Sequence, residues 1–341
     1  MKVTFRSLPI TTLCVVLACG AVFARVPPSP RGGVRSRCGL LRSRMKSQPT
    51  AAANHKAQSP GSPGVTFTFG IIDFPEQTDT QVIGVNDKGE TVGGYGPSTV
   101  GFGASDHGFL LKGTKFTAID YPGAAWTSPN SINDSGAIVG QYGTSGSDEH
   151  GFELVGKTYT TVDFPGAAYT SANGNNRHED IVGGWVDSSE IAHGFLLSKG
   201  VFTSFDFPSA VDTEAFQINT AGEIVGMYDN SDGSTHGFLY SGGIFTTIDY
   251  PGGYSQNYAS GINDQGVIVG AYGEPTDVNG VQYLWQHTFL YQSGQFTNAD
   301  SPFGPPAVTL PGQISNNEVI VGEYVDNSDT VYGYEAAVAQ Q

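Results

Sequence analysis

The sequence lacks most of what enzymes of familiar type and membrane proteins depend on. Its cysteines, Cys14, Cys19 and Cys38, all lie within the first 64 residues. Residues 65–341 can therefore form no disulfide and offer no thiol nucleophile. Positive charge is scarce in the same stretch, where six Lys and Arg stand against all 32 Asp and Glu for a net charge of −26. Such a surface repels nucleic acid and anionic lipid and favours solubility or cationic partners. Gly-x-Ser-x-Gly, His-Glu-x-x-His and phosphate-loop patterns are missing, and no segment of the body has a useful helical period. The longest apolar stretch, Leu8 to Phe23, is short and broken by Pro9 and Gly20, which argues against a membrane span.

The first 64 residues have the opposite balance, with ten Lys or Arg and no acid. Residues 1–24 read as a secretory signal. Lys2 and Arg6 form a positive start, an apolar centre follows, and Val22-Phe23-Ala24 suits a cleavage site. Val16-Leu17-Ala18-Cys19 also resembles a degenerate lipoprotein box, which would leave Cys19 lipidated. Residues 25–64 read as a disordered basic linker, rich in Pro, Ser, Gly, Ala and Arg and almost without aromatics. The expected location is secreted or cell-envelope.

What the body does contain is a repeat. Asp-aromatic-Pro begins at Asp73, Asp120, Asp163, Asp206 and Asp249, with a weaker copy at Asp300; the spacings are 47, 43, 43, 43 and 51. His-Gly-Phe keeps step at His107, His150, His193 and His236, then decays to His287-Thr288-Phe289 and Tyr332-Gly333-Tyr334. A Val-Gly closing an apolar run recurs at Gly93, Gly140, Gly183, Gly226, Gly270 and Gly322. Each unit reads as four short strands. The first is small or polar, and an Asn-Asp-x-Gly turn leads to a β-branched second strand. A His-x-Phe strand follows, and an alternating fourth strand ends at the proline. This predicts an all-β, six-bladed β-propeller over residues 65–341, with four antiparallel strands per blade. A lone fourth-type strand, Thr66 to Phe74, is expected to complete the last blade. The first strands are expected to line the channel.

The pattern Ile-Asn-Asp-x-Gly-x-Ile-Val-Gly, followed after a loop by His-Gly-Phe-Leu, resembles the HAF-type bacterial extracellular repeat over about residues 65–341. The resemblance implies an exported propeller-like protein and no established activity. Here Gly108, Gly151, Gly194 and Gly237 replace the family's alanine, and the Asp-aromatic-Pro element suggests a separate subgroup.

Where repetition marks structure, departures from it mark candidate function. The blade histidines and the Asp before each proline are read as structural, the histidines bonding backbone and the carboxylates capping free N–H groups at strand ends. Metal ligation by the histidines is not expected. One departure is Asn176-Arg177-His178-Glu179, where Arg177 is the body's sole arginine and Glu179 stands in the usual Gly place. A second is the set of inter-unit connections carrying Trp126, Tyr169, Tyr254 and Tyr258, with Asp212 and Glu214 in the fourth unit. Aromatic rings beside carboxylates can hold a sugar, with the ring against C–H faces and the carboxylates on hydroxyls; the plainer alternative is that the rings pack beneath the loops. A third is the insertion from Glu274 to Gln286, with Asp277, Tyr283 and Trp285. Asp229-Asn230-Ser231-Asp232-Gly233 partly resembles a calcium loop but lacks the distal Glu. Expected metal ligands are none, apart from that calcium candidate.

The expectation is a monomeric, non-enzymatic propeller binding an extracellular glycan. One alternative is a propeller glycoside hydrolase or lyase using Glu179, Asp180, Asp212 or Glu214. The other is an envelope scaffold for protein partners.

Overall fold

A computed structural model of the protein describes residues 57–60, 65–96, 107–145, 148–278, 281–300, 308–325 and 330–340. The expected signal, Cys19 and most of the basic linker lie outside these residues. The strands form six sheets arranged as a β-propeller. Blade 1 is β3 (Asp79–Val85), β4 (Thr91–Gly96), β5 (His107–Lys112) and β6 (Lys115–Ile119). Blade 2 is β7 (Trp126–Ile132), β8 (Ile138–Gly143), β9 (His150–Val155) and β10 (Thr158–Val162). Blade 3 is β11 (Tyr169–Asn175), β12 (Ile181–Val186), β13 (Ala192–Ser198) and β14 (Val201–Phe205). Blade 4 is β15 (Asp212–Ile218), β16 (Ile224–Asp229), β17 (Thr235–Ser241) and β18 (Ile244–Ile248). Blade 5 is β19 (Asn257–Ile262), β20 (Ile268–Val278), β21 (Val281–Gln292) and β22 (Gln295–Asn298).

Blade 6 joins the two ends of the chain. It comprises β23 (Val308–Ile314), β24 (Val319–Val325), β25 (Val331–Gln340) and the N-terminal β2 (Val65–Ile72), with β1 (Ala57–Pro60) on the outer edge of β2. The β2–β25 register runs unbroken from Val65↔Gln340 to Ile72↔Gly333. Strand β1 belongs to the stretch read as linker. It pairs through main-chain groups, which need no apolar side chain, so low hydrophobicity does not bar it from a sheet edge.

The Asp-aromatic-Pro tripeptide fastens blades 1 to 4 each to the next through both its side chains, whereas at blade 5 Ser301 replaces the aromatic and at blade 6 the Asp has no histidine to hold. Its Asp holds the histidine of its own blade: His107 to Asp120 at 3.0 Å, His150 to Asp163 at 2.9 Å, His193 to Asp206 at 2.8 Å, His236 to Asp249 at 2.6 Å and His287 to Asp300 at 2.9 Å. The histidines thus bond a side-chain carboxylate rather than the backbone expected of them. The aromatic that follows the Asp stacks on the second strand of the next blade. Phe74 lies on Tyr95, Tyr121 on Tyr142, Phe164 on Trp185, Phe207 on Tyr228 and Tyr250 on Tyr272, with centroids 3.6 to 4.2 Å apart. That second ring in turn faces its own blade's histidine, as Trp185 faces His193 at 4.5 Å. The backbone N–H of the aromatic is satisfied by the first strand of the same next blade, by Thr80, Thr127, Thr170, Thr213 or Asn257.

The other face is tied by turn asparagines. Each side-chain amide donates to the carbonyl of the corresponding residue one blade on: Asn86 to Asn133, Asn133 to Asn176, Asn176 to Asn219, Asn219 to Asn263 and Asn263 to Ser315. Asp87 closes the circle by accepting from Asn316.

The channel is filled rather than open. Every first strand carries a bulge at the same place, as between Ala172 and Gly174 or Ala215 and Gln217. The bulged residues include Asn130, Asn173 and Phe216, all buried. Phe216 of blade 4 shares a core cluster with Ile83 of blade 1. Ser131, Gln313 and Asn173 are linked by hydrogen bonds across blades 2, 6 and 3. The Val-Gly glycines lie against the inner strand, where a Cβ on Gly183 would sit 1.9 Å from the Ser171 carbonyl oxygen.

Two outcomes test this account. Phe207→Ala removes a ring that joins blades 3 and 4 and should cost about 2–3 kcal/mol in denaturant unfolding, half-burial keeping it below a full core truncation. Glu179 adopts φ 63° where Gly136, Gly222 and Gly266 adopt 72° to 84°. Glu179→Gly should therefore stabilise the protein by about 1 kcal/mol in the same measurement.

Candidate functional site

The blade arrangement divides the body into two faces. The inter-blade connections and the loops between second and third strands lie on one; the asparagine turns and the third-to-fourth-strand hairpins lie on the other. Lys88 and Arg177 sit in asparagine turns, and Lys112, Lys115, Lys157 and Lys199 sit at or beside the hairpins. All six basic residues of the body are thus on the turn face. The Lys112–Glu90 ion pair, at 2.9 Å, joins a hairpin to a turn there. Among the described residues the connection face holds no Lys or Arg, and it carries many of the body's carboxylates.

The sequence-expected residues separate accordingly. Trp126, Tyr169 and Asp212 begin the innermost strands of blades 2, 3 and 4 and occupy equivalent register positions, opposite Gly143, Val186 and Asp229. All three are half-buried at the connection-face rim. The Trp126 indole donates to the Ser145 carbonyl at 3.3 Å and lies over Gly143, where a Cβ would meet Nε1 at 2.3 Å. Asp212 accepts from the Ala192 backbone N–H at 2.9 Å, which ties blade 4 to blade 3.

Tyr254 and Tyr258 do not join this rim. The Tyr254 ring packs into its own loop, 4.7 Å from the Tyr272 ring. Tyr258 is 4% exposed and shares a core cluster with Met227, Phe216, Ile83 and Ala271. Direct contact between Tyr258 and an external ligand is excluded by that burial. Arg177, His178 and Glu179 are exposed on the turn face. Arg177 reaches over the channel mouth to Asp264 at 2.8 Å and forms part of the lining of a cavity of about 60 Å3 with the turn asparagines. The insertion of the fifth unit is an extended β20–β21 hairpin, paired out to Val278↔Val281. Asp229 accepts from Thr235 Oγ1 and Asp232 from Ser234, so both carboxylates of the calcium candidate bond within their own segment. Among the described residues no three His, Cys, Asp or Glu converge as a metal site.

A pocket missed by sequence reasoning lies where blades 2, 3 and 4 meet. Glu149, Tyr169, Ser171, Gly184, Trp185, Val186, Ala192 and Glu214 line a cavity of about 20 Å3. It exists because the second-strand residue after Val-Gly faces the third residue of the next blade's first strand. Met227 meets Tyr258 and Gln141 meets Ser171 at this position, whereas Gly184 makes room for Glu214 itself, whose Cγ would lie 3.1 Å from a Cβ there. Glu214 is 7% exposed, and one of its oxygens accepts from Asn173 Nδ2 at 3.0 Å. Burial pushes its carboxyl up to about 8, and nearby Glu149, Asp229 and Asp212 add to the rise. Burial likewise pushes Glu149 up to about 7. Glu214 is therefore largely a neutral carboxyl near neutral pH, offering a donor and an acceptor, while Glu149 is only about half protonated there.

A second fully buried glutamate lies elsewhere in the ring. Glu323 faces the blade 6–blade 1 interface, is 2% exposed and is pushed up to about 8 by burial. The Gln81 side chain lies beside it without completing a hydrogen bond of good geometry.

No family model matches the chain, and no curated protein does. Several solved structures share its fold. A lectin of Aleuria aurantia, crystallised with a fucosylated disaccharide, is 10% identical with a TM-score of 0.49, covering 77% of this chain and 94% of its own. TolB of Acinetobacter baumannii is 12% identical with a TM-score of 0.47, covering 76% and 63%. An ulvan lyase is 11% identical with a TM-score of 0.42, covering 84% and 92%. At these identities the likeness concerns the fold.

The buried glutamates give a pH dependence with a definite sign. A carboxyl whose folded value lies above its ordinary 4.5 binds its proton more tightly in the folded state. Stability is then greatest below about pH 4.5 and falls as pH rises towards 8. Glu323→Gln should raise the melting temperature at pH 8 relative to wild type and remove part of that slope, with little gain at pH 4.5. An unchanged slope would mean that Glu323 ionises freely.

Proposed function

We propose that the connection face binds an extracellular glycan, centred on the pocket between blades 2, 3 and 4. The observation that carries this reading is the convergence of Tyr169 and Glu214, from adjacent blades, on one pocket with Glu149 and Ser171. Trp126 and Asp212 stand on the same rim one blade to either side of Tyr169. A cavity of about 20 Å3 accommodates one hydroxyl or a water, not a pyranose ring. The ring would lie across the mouth against Tyr169, with one hydroxyl directed at the Glu149 and Glu214 carboxyls. The absence of Lys and Arg from this face selects against uronate and sulfate and favours neutral or amine-bearing sugars.

The pair of raised carboxyls is also what a glycoside hydrolase would need for its acid and base. The small cavity favours binding over hydrolysis, because the scissile bond has no room between the two groups. Export by residues 1–24, membership of the HAF-type group and retention at the envelope through the linker or Cys19 belong to the same proposal and rest on sequence pattern.

Glycan-array screening of residues 57–341 at pH 7 is expected to give competable hits among neutral or amino sugars and none among uronates. Tyr169→Ala should weaken binding at least about tenfold, the loss of one stacked ring and its buried area, with the melting temperature nearly unchanged. Equal binding by the variant would place the site elsewhere. Release of reducing ends by wild type, abolished in Glu214→Gln, would replace the binding reading with the hydrolytic one.

A further inference from the structure

We infer that Ser234, His236 and Asp249 of blade 4 form a nucleophilic triad competent to hydrolyse small acyl esters. The inference rests on different atoms from the glycan reading and stands or falls without it. Ser234 Oγ lies 2.8 Å from His236 Nε2, and His236 Nδ1 lies 2.6 Å from Asp249 Oδ2. These are the contacts by which a serine hydroxyl, an imidazole and an orienting carboxylate share a proton relay.

The repeat separates the structural part of this arrangement from the part that is new. His–Asp contacts occur in five blades and hold them together. What differs is the atom opposite Nε2. In blade 2 it is Asp148 at 3.9 Å, in blade 3 Asp187 at 3.7 Å and in blade 5 Glu274 at 3.2 Å. A carboxylate there has no proton to give to Nε2. In blade 4 a hydroxyl occupies the place, and the carboxylate on Nδ1 sets the tautomer in which Nε2 can accept the Ser234 proton.

The surroundings supply the remaining parts. Asp249 is itself fixed by the Gly237 backbone N–H at 3.3 Å, and the Tyr228 ring stacks on His236 at 5.1 Å and holds the imidazole plane. Asn230 Nδ2 donates to Ser234 Oγ at 3.3 Å and so orients the hydroxyl. Ser234 and His236 are half-exposed at the connection face, so a substrate can reach them. Asp232 Oδ1, 2.7 Å from Ser234 Oγ, competes with Nε2 for the single hydroxyl proton, which must turn to Nε2 before attack, and the Asp232 carboxyl is held below the usual range chiefly by that bond. A fixed negative charge at this distance restricts substrates to neutral or cationic esters.

The reaction balances with water as the sole co-reactant. Ser234 Oγ forms a bond to the carbonyl carbon while its proton passes to Nε2. The tetrahedral intermediate then collapses, the C–O bond to the alcohol breaks, and the alcohol takes the proton from Nε2. Water repeats both steps on the acyl-serine, releasing the carboxylic acid and restoring Ser234.

The test uses residues 57–341, a neutral alkyl fluorophosphonate and p-nitrophenyl acetate. A single phosphonyl adduct is expected on Ser234 by peptide mass mapping. Ester hydrolysis should fall at least ~100-fold in Ser234→Ala, with the melting temperature unchanged. Ser234→Cys probes the relay without removing the side chain, and it should be alkylated by iodoacetamide faster with His236 present than in a His236→Gln background. No adduct on Ser234, wild-type hydrolysis in Ser234→Ala, or equal alkylation in the two backgrounds would each overturn the assignment.

Discussion

The ring is held by one tripeptide whose two halves serve different blades. In Asp163-Phe164-Pro165, Asp163 closes a hydrogen bond to His150 of blade 2, while Phe164 lies on Trp185 of blade 3. A single peptide bond joins the two residues, so neither contact can loosen without straining the other. The proline ends the outer strand and frees the chain to cross. An isolated four-stranded sheet of this size buries little apolar surface on its own. Each clasp converts such a sheet into part of a continuous core, and cooperativity between blades follows.

Blade 6 shows what happens where the clasp fails. Its third strand carries Tyr332 in place of histidine, and Tyr332 stacks on Tyr324 at 5.0 Å. Asp73, having no histidine to hold, accepts from Thr80 Oγ1 of blade 1. Closure there depends instead on the long β2–β25 pairing, which brings the two ends of the chain into one sheet. The closed ring draws the inner strands together, and their bulges project Phe216, Asn173 and Gln313 into the axis. A ligand is thereby confined to the faces or the gaps between blades, and the uneven distribution of Lys and Arg makes those two faces chemically different.

Against this regular frame, single departures create local chemistry. Gly184 makes room for Glu214, an acid at position 149 adds a second carboxyl to the same pocket, and Ser234 sets a hydroxyl where other blades set a carboxylate.

The repeat was readable in the chain because strands and turns are local. Alternation, Gly at positive φ and Pro at strand ends are fixed by residues a few positions apart, and their recurrence at 43-residue intervals implies blades and ring closure. The partners of repeated side chains were harder to read. The histidines were expected to bond backbone, and the structure gives them the Asp thirteen residues later, a contact made only when the third and fourth strands pair. The rim positions of Trp126 and Tyr169 followed from their place before the first strand, whereas the burial of Tyr258 did not. Alternation identifies a side chain's face of the sheet, but only the approach of blade 4 decides that this face is covered. The pocket of Glu149 and Glu214 and the Ser234–His236–Asp249 contact belong wholly to the tertiary structure. They join residues from different blades or strands, and no local propensity encodes the distance between them.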